Sequence, residues 1–189
     1  ELLADPAAVN DENGEWVEIY NPNAYAVALE GWRLITPHQS LRLPGGLSMA
    51  RNSYCELARS DNPSANGGVI VQATLDVQLN NDAGSLTLAA PGGVEVDSVA
   101  WSQAEPGRSL ERLDDGTTWR AAVAPWPGSA GDWGSPGAPS PPAPPPPEPT
   151  LPPPTPLPLP DVWPRPDPAA PPTPLQIDEV AYRGGDEYV

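Results

Sequence analysis

The chain of 189 residues carries 25 acidic side chains against nine arginines and no lysine, which gives a formal net charge of −16. Because the arginines are scattered singly, no basic face is available for nucleic acid or for an anionic membrane surface, and neither is expected as a partner. No apolar run approaches the ~20 residues that span a bilayer, so membrane insertion is not expected, and a single cysteine leaves the redox compartment open.

Residues 1–135 have the pattern of short strands and turns that is typical of an all-β domain. No window long enough for a helix keeps an apolar period of 3.6 residues, whereas short runs with a period of two recur between turns rich in Gly, Pro and Asn. Many short strands at this spacing predict an antiparallel β-sandwich or barrel. Each predicted strand is marked by two apolar residues at alternate positions; in chain order these are Val17/Ile19, Val27/Leu29, Trp32/Leu34, Leu41/Leu43, Cys55/Leu57, Val69/Val71, Leu86/Leu88, Val94/Val96 and Val99/Trp101.

Proline separates this domain from a short C-terminal segment. Of the 30 prolines, 21 lie in residues 136–174, a composition that predicts an extended polyproline II linker without a packed core. At about 3.1 Å per residue, its 39 residues reach on the order of 120 Å. The predicted organisation is therefore a sandwich at 1–135, a proline-rich linker at 136–174, and a C-terminal strand segment at 175–189.

The C-terminal segment repeats the start of the chain. Glu187-Tyr188-Val189 repeats Glu15-Trp16-Val17, and Glu179-Val180-Ala181 can be aligned with Glu1-Leu2-Leu3. The residues Leu175 to Asp178 have no counterpart before Glu1. Residues 175–189 are therefore interpreted as the first strand of a second domain or as a strand donated to another sandwich.

The order of several short motifs is similar to that of the lamin tail domain family. The resemblance covers nearly all of residues 1–139 and implies an immunoglobulin-like β-sandwich, in which Gly31 turns the chain so that Trp32 inserts between the sheets. It further implies a non-catalytic module, which in bacteria belongs to secreted or surface proteins and in nuclear lamins is a docking platform. The motifs are the runs 14–22, 29–34, 43–46, 79–88, 96–101, 109–112 and 133–139.

The side chains that could carry chemistry lack partners in the sequence. Cys55 alternates in phase with Leu57 and is predicted to be a packed core thiol, and His38, the only histidine, is predicted to be a solvated loop residue. An enzyme is not expected, because no nucleophile, base and orienting group can be assembled. The acidic run at 10–15 offers oxygens to calcium but lacks the spacing of a calcium loop, so a solvated loop is favoured and no cofactor is expected. Asp114-Asp115-Gly116 is read as a hairpin turn.

Aromatic side chains suggest a place for partners. Trp16 and Tyr20 face opposite to Val17 and Ile19, so the pair could stack on a glycan or receive a protein partner. The favoured alternative is that the N-terminal segment or the chain near Trp126 covers them. The candidate partner-binding residues are Leu175, Ile177, Val180, Tyr182, Tyr188, Trp16 and Tyr20.

These observations favour a non-enzymatic structural or adhesive module of an extracellular or cell-surface protein. Its partners are expected to be other copies or domains of the same fold, with residues 175–189 of one copy completing the sheet of the next to form a filament or lattice. Two alternatives stay open: a fragment of a tandem repeat that acts as a spacer or targeting module, and a module that binds glycan or calcium.

Overall fold

A computed structural model describes residues 1–142, which form an immunoglobulin-like β-sandwich with a single turn of α-helix. The fold class predicted from the sequence is confirmed for these residues. The elements are β1 (Leu2–Leu3), α1 (Asp11–Gly14), β2 (Trp16–Asn21), β3 (Val27–Ala28), β4 (Arg33–Ile35), β5 (Ser40–Arg42), β6 (Ser48–Met49), β7 (Ser53–Ala58), β8 (Ala73–Thr74), β9 (Gly84–Ala90), β10 (Val94–Trp101), β11 (Leu110–Arg112) and β12 (Trp119–Ala121).

Two sheets make up the two layers. The first sheet has six strands in the order β12-β11-β1-β2-β7-β8, and the second has four in the order β10-β9-β4-β5, while β3 pairs only with β6. All pairings are antiparallel except β7 with β8. The two-residue strand β1 thus lies in the middle of the first sheet, between β11 and β2.

The main core lies between the two sheets and follows the period of two in the sequence. Side chains on alternate positions of the strands are removed from water there, because successive residues of a strand point to opposite faces. The buried members are Leu2, Ala4, Val17, Ile19, Leu29, Leu34, Leu43, Met49, Cys55, Leu57, Val77, Leu79 and Leu86, and Trp32 packs partly buried against them.

A second, smaller core covers the outer face of the first sheet. Leu3 and Trp16 point away from the main core and pack with Ala58, Val69 and Trp126. The chain after β12 returns across this face and supplies Trp126. The first sheet is therefore apolar on both faces at its centre.

Three local predictions differ from the structure. Val69 and Val71 do not form a strand, because the Asn66 side chain bonds both the N–H and the carbonyl of Val69 and closes a loop in place of a strand ladder. Val94/Val96 and Val99/Trp101 belong to one continuous strand, β10, which contains an irregularity between Glu95 and Asp97.

The third difference concerns the acidic run at 10–15. It forms the single helical turn α1 and ends on a buried Glu15, which contacts the Arg59 guanidinium at 3.1 Å and accepts the Leu79 N–H. A solvated loop was the expectation. Burial raises the pKa of Glu15 to about 7, against the opposing effects of these two partners.

Two glycines are required by their surroundings. Gly31 has φ of +80°, in the left-handed region that favours glycine, and it begins the turn that leads into β4. Gly68 has φ of +95°, and a Cβ there would lie 2.2 Å from the carbonyl oxygen of Gly128. The loop before β8 and the loop after β12 therefore meet backbone to backbone.

Candidate functional site

A cavity of about 780 Å³ in residues 1–142 opens where β1 is short. β2 continues to Asn21, but its pairing with β1 reaches only Leu2 opposite Val17. On the other side, β11 continues from Leu110, the partner of Leu2, to Arg112. We call the space between these two strand ends the first-strand cleft.

Both sheets of the sandwich contribute walls to the first-strand cleft. Its inner wall is apolar and comes from the second sheet, with Leu34, Leu86, Leu88 and Val99. Its two sides come from β2 and from the β11–β12 hairpin, with Ile19, Tyr20, Arg112, Leu113 and Trp119. Residues Ala138, Pro139 and Ser140 border it on the outer face. The cleft therefore exposes part of the main core to solvent.

The backbone N–H and C=O of Tyr20, on β2, face the first-strand cleft. Glu18 donates its N–H to the Glu1 carbonyl at 2.8 Å and accepts from the Glu1 nitrogen at 3.3 Å, so this is a hydrogen-bonded pair. Since bonding positions recur every second residue along a strand, the N–H and C=O of Tyr20 point into the cleft. A strand entering the cleft meets a donor and an acceptor there.

A charged group lies on the opposite side of the cleft. The Arg112 Nη2 atom bonds both carboxylate oxygens of Asp97 on β10, at 2.6 and 2.7 Å. The same guanidinium stacks 4.5 Å over the ring of Trp119, which is its cross-strand partner in the β11–β12 hairpin. These contacts hold the hairpin against the edge of the second sheet and keep that side of the cleft in place.

The outer face of the cleft is bordered by residues 134–142, which we call the covering segment. Ser135 donates both its N–H and its hydroxyl to the Glu1 carboxylate, at 2.8 and 2.7 Å, and Ser140 donates its hydroxyl to the Arg112 carbonyl at 3.3 Å. Gly137 donates its N–H to Glu18 Oε2 at 2.5 Å. Residues 136–142, which the sequence assigns to the linker, thus contact the first sheet.

Beneath the covering segment, two carboxyl groups lie side by side. Glu18 of β2 and Glu56 of β7 are direct cross-strand partners and are only 8% and 2% exposed. Burial is the largest cause that raises the pKa of Glu18, to about 9, and it also raises the pKa of Glu56. The pair therefore retains one proton at neutral pH, which the two carboxyl groups share in a hydrogen bond.

A buried ion pair lies next to them on β11 and β12. Glu111 is fully buried, and its Oε2 accepts from the Arg120 Nε at 3.2 Å. The Arg120 guanidinium also donates to the Pro141 carbonyl of the covering segment. Burial raises the pKa of Glu111, and the bond to Arg120 opposes that rise.

The structure separates the two aromatic residues that the sequence placed on one partner surface. Trp16 is fully buried, with its ring edge-on to Trp126 at 6.0 Å between centroids, so it is not available as a binding surface. The chain near Trp126 covers it, as the favoured alternative predicted. Tyr20 is 46% exposed and stacks on Tyr54 at 4.8 Å. It lies beside the first-strand cleft.

The other predicted side chains lie as follows. Cys55 is buried in the main core, and burial raises the pKa of its thiol to about 11. His38 is exposed in the turn between β4 and β5. Asp115 caps the turn between β11 and β12 by accepting from the N–H groups of Thr117 and Thr118. Leu175, Ile177, Val180, Tyr182 and Tyr188 lie outside the described residues, as do residues 143–174 of the linker.

Sequence reasoning missed Arg112, Trp119 and Tyr54 as cleft residues. The hairpin turn at Asp114-Asp115-Gly116 places Arg112 opposite Trp119, so this pair could have been found from the turn signal. Tyr54 had no such signal, because its place depends on the register of β7 against β2.

Residues 1–142 contain neither a metal-binding cluster nor a membrane-spanning helix. No group of three or more His, Cys, Asp or Glu side chains is arranged to hold a metal ion in this part of the chain. None of its helices is long and apolar enough to cross a membrane.

The fold defines an immunoglobulin-like module with an opening beside its first strand. A family model described as Lamin Tail Domain matches residues 1–103, and the chain belongs to this family. The family has a non-catalytic fold, and the domain fits a non-enzymatic structural module. No curated protein and no solved structure matches the chain.

Proposed function

We propose that this protein is a structural module of an extracellular or cell-surface assembly, in which residues 175–178 of one copy enter the first-strand cleft of another. The family and the cleft support the structural role, and the repeat of the chain's start in its C-terminal segment supports the choice of partner. The single observation that carries the proposal is the pairing register of β2 and β11, which both extend past β1, so that a four-residue strand between them would have a neighbour on each side.

The alignment of Glu179-Val180-Ala181 with Glu1-Leu2-Leu3 sets the register of the donated strand. Continuing the pairing of β1 with β2 places Asp178 opposite Ile19 and Ile177 opposite Tyr20. Ile177 then takes the bonding position at the Tyr20 backbone, and its side chain covers the exposed face of the Tyr20 ring.

The same register fits the other side of the first-strand cleft. Continuing the pairing of Leu2 with Leu110 places Asp178 opposite Arg112 and Ile177 opposite Leu113. Position alternation puts Asp178 on the inner face beside the Arg112 guanidinium, and Ile177 on the outer face. Ile177 thus meets apolar groups, and Asp178 meets the Arg112 guanidinium, which already binds Asp97.

Insertion is favoured over replacement of β1. If the C-terminal segment displaced β1, Val180 and Ala181 would stand where Leu2 and Leu3 are now buried. That exchange loses roughly four methylene groups from the two cores, which costs about 3 kcal/mol. The donated strand is therefore limited to residues 175–178, which fill the cleft. Each further residue that became ordered would cost about 1–2 kcal/mol of backbone entropy, so a short donated strand is favoured.

The linker composition favours a neighbour over the same copy. Residues 143–174 are rich in proline, a composition that predicts an extended spacer long enough to reach a neighbouring copy. Links between copies then run head to tail, and such an interface builds a filament or lattice when it does not close into a ring.

Light scattering on the full chain over a range of concentrations tests the proposal. The average mass is expected to rise with concentration for the unaltered chain and to stay at one copy for Ile177→Pro, which removes the N–H that would bond Tyr20. Val189→Pro is the matched control, because it alters the C-terminal segment outside the donated residues and is expected to assemble. Equal assembly by Ile177→Pro would reject strand donation.

The second candidate is a piece of a longer tandem protein, favoured by the repeat of Glu15-Trp16-Val17 in Glu187-Tyr188-Val189. In that case residues that precede Glu1 in the longer chain fill the first-strand cleft, and the module acts as a spacer. The mass of the native protein distinguishes the two, since a mass well above 19.8 kDa supports the tandem protein.

A glycan-binding or calcium-binding role is the third candidate. It is weakened because Trp16 is buried and only Tyr20 remains exposed of the two aromatics. Thermal melting of the full chain with calcium or a glycan panel is expected to show no shift in melting temperature.

A further inference from the structure

The covering segment rests directly on two facing carboxyl groups. Glu18 and Glu56 are cross-strand partners, and Gly137 donates its N–H to Glu18 Oε2. A Cβ on Gly137 would lie 3.4 Å from Glu56 Oε1, so the backbone of the covering segment lies within contact distance of both groups. Among residues 1–142, no protein donor bonds Glu56 Oε1, while burial raises the pKa of the Glu56 carboxyl and a bond with Glu18 and the nearby Gly137 N–H lower it.

The charges around this pair do not neutralise it. Glu1 and Glu111 add two more carboxyl groups from the neighbouring strands, and Arg120 is the cationic side chain on this face. Arg120 already bonds Glu111, while the Glu1 carboxylate bonds Ser135. The amino group of Glu1 lies 3.3 Å from the Glu18 carbonyl oxygen and lowers the pKa of the Glu18 carboxyl.

The remaining titratable neighbours are also acidic. Tyr54 of β7 is partly buried, and its pKa is raised by burial and then by the charges of Glu18, Tyr20, Asp114 and Glu1. The covering segment itself contains only Gly, Ser, Pro and Ala, so it brings no charge of its own. The Gly137 N–H lowers the pKa of both carboxyl groups of the pair, but burial is the largest cause and raises both, so a second negative charge beneath the covering segment is costly.

We propose that the Glu18–Glu56 pair is a proton-dependent latch: while the pair shares one proton it holds the covering segment on the first sheet, and when both groups ionise it releases that segment. Because Ala138 to Ser140 border the first-strand cleft, release widens the cleft for an entering strand. That consequence rests on the proposed function, whereas the latch itself rests only on contacts within residues 1–142.

The direction of the pH dependence follows from the two states of the pair. Burial, the largest cause, raises the pKa of Glu18 to about 9 with the covering segment in place, and hydration after release lowers it toward its ordinary value of 4.5, while the loss of the Gly137 N–H acts in the opposite direction. The closed state thus binds the proton more tightly, so it is most favoured below pH 4.5. Between pH 4.5 and about 9 the ratio of closed to open falls by up to tenfold per pH unit, and above that range it levels off.

Hydrogen exchange of the full chain, read by mass spectrometry and corrected for the intrinsic pH effect, tests the latch. The amides of Ser135, Gly137 and Ala138 are bonded in the closed state and report on the covering segment. Their protection is expected to fall at least about tenfold from pH 6 to pH 9. Peptides from β2 and β7 are expected to stay protected, which shows that the opening is local.

Variants separate the latch from a general loss of stability. Glu18→Gln keeps a donor toward Glu56 and an acceptor for Gly137 but cannot ionise, so protection of the covering segment is expected to stay within about threefold between pH 6 and pH 9. Glu56→Gln is expected to behave in the same way and serves if Glu18→Gln does not fold. Glu12→Gln, an exposed position on α1, is the matched control and should follow the unaltered chain.

Two results would overturn the latch. One is equal protection of the covering segment at pH 6 and pH 9 in the unaltered chain, and the other is a loss that Glu18→Gln and Glu56→Gln share. Repeating the exchange measurement in Ile177→Pro separates the latch from strand donation. The pH-dependent protection of the covering segment is expected to persist in this variant, whether or not the substitution changes assembly.

Discussion

Replacing Trp16 by alanine gives a direct test of whether this residue supports the fold or binds a partner. Its side chain is fully buried in the smaller core, edge-on to Trp126, and Leu3 and Ala58 belong to the same cluster. Truncating a buried tryptophan costs about 3–5 kcal/mol, because the transfer free energy is lost and a cavity remains. The edge-on contact with Trp126 is part of that loss.

The matched control is Tyr20→Ala on the same face of the same strand. Tyr20 is 46% exposed and loses mainly its stacking on Tyr54, which is worth about 0.5–1.5 kcal/mol. Guanidinium denaturation followed by far-ultraviolet circular dichroism measures both variants without depending on the removed fluorophore. Equal destabilisation by the two substitutions, or a cost below about 1.5 kcal/mol for Trp16→Ala, would refute the burial of Trp16.

Three further predictions concern positions with clear physical roles. Gly68→Ala is expected to cost at least about 2 kcal/mol of unfolding free energy, because its Cβ would meet a backbone oxygen, whereas Gly92→Ala, with similar φ but open space, should cost about 1 kcal/mol. Arg120→Met is expected to cost about 3 kcal/mol by leaving a buried carboxylate unpaired. Asp76→Asn, which removes only the exposed partner of Arg59, should cost about 1 kcal/mol or less, and denaturant titration measures all four variants. Cys55 is expected to resist a thiol reagent at pH 8 until denaturant unfolds the chain, and fast labelling of the native protein would contradict its burial.

The alternation of apolar residues predicted the strands well because it can be read within each strand, without knowledge of the strands that pair with it. Val17 and Ile19 on β2, and Cys55 and Leu57 on β7, have the period of two and point into the main core. The same alternation placed Trp16 on the opposite face, which is correct. It gave no information on what covers that face, since Trp126 lies 110 residues further along the chain.

Buried charges were the part that no pattern could reveal. Glu15, Glu56 and Glu111 are nearly or fully buried, although acidic residues in a polar run usually predict solvent exposure. Each is buried because of a contact distant in sequence: Glu15 with Arg59, Glu56 with its cross-strand partner, and Glu111 with a residue of the next strand. The carboxyl pair under the covering segment therefore required the structure.

The position of the opening also bears on which strand can enter. One edge of the second sheet is β10, where Val94 and Val96 are exposed but alternate with Glu95 and Asp97. Two copies of this acidic edge would repel each other, and the irregularity within the strand interrupts its ladder, so the edge is protected from pairing with itself. The first-strand cleft differs, because a strand there is paired on both sides and must match two registers at once. A one-residue slip would turn Ile177 inward and leave the Tyr20 ring uncovered, and for this reason a central opening selects its donor more strictly than an edge does.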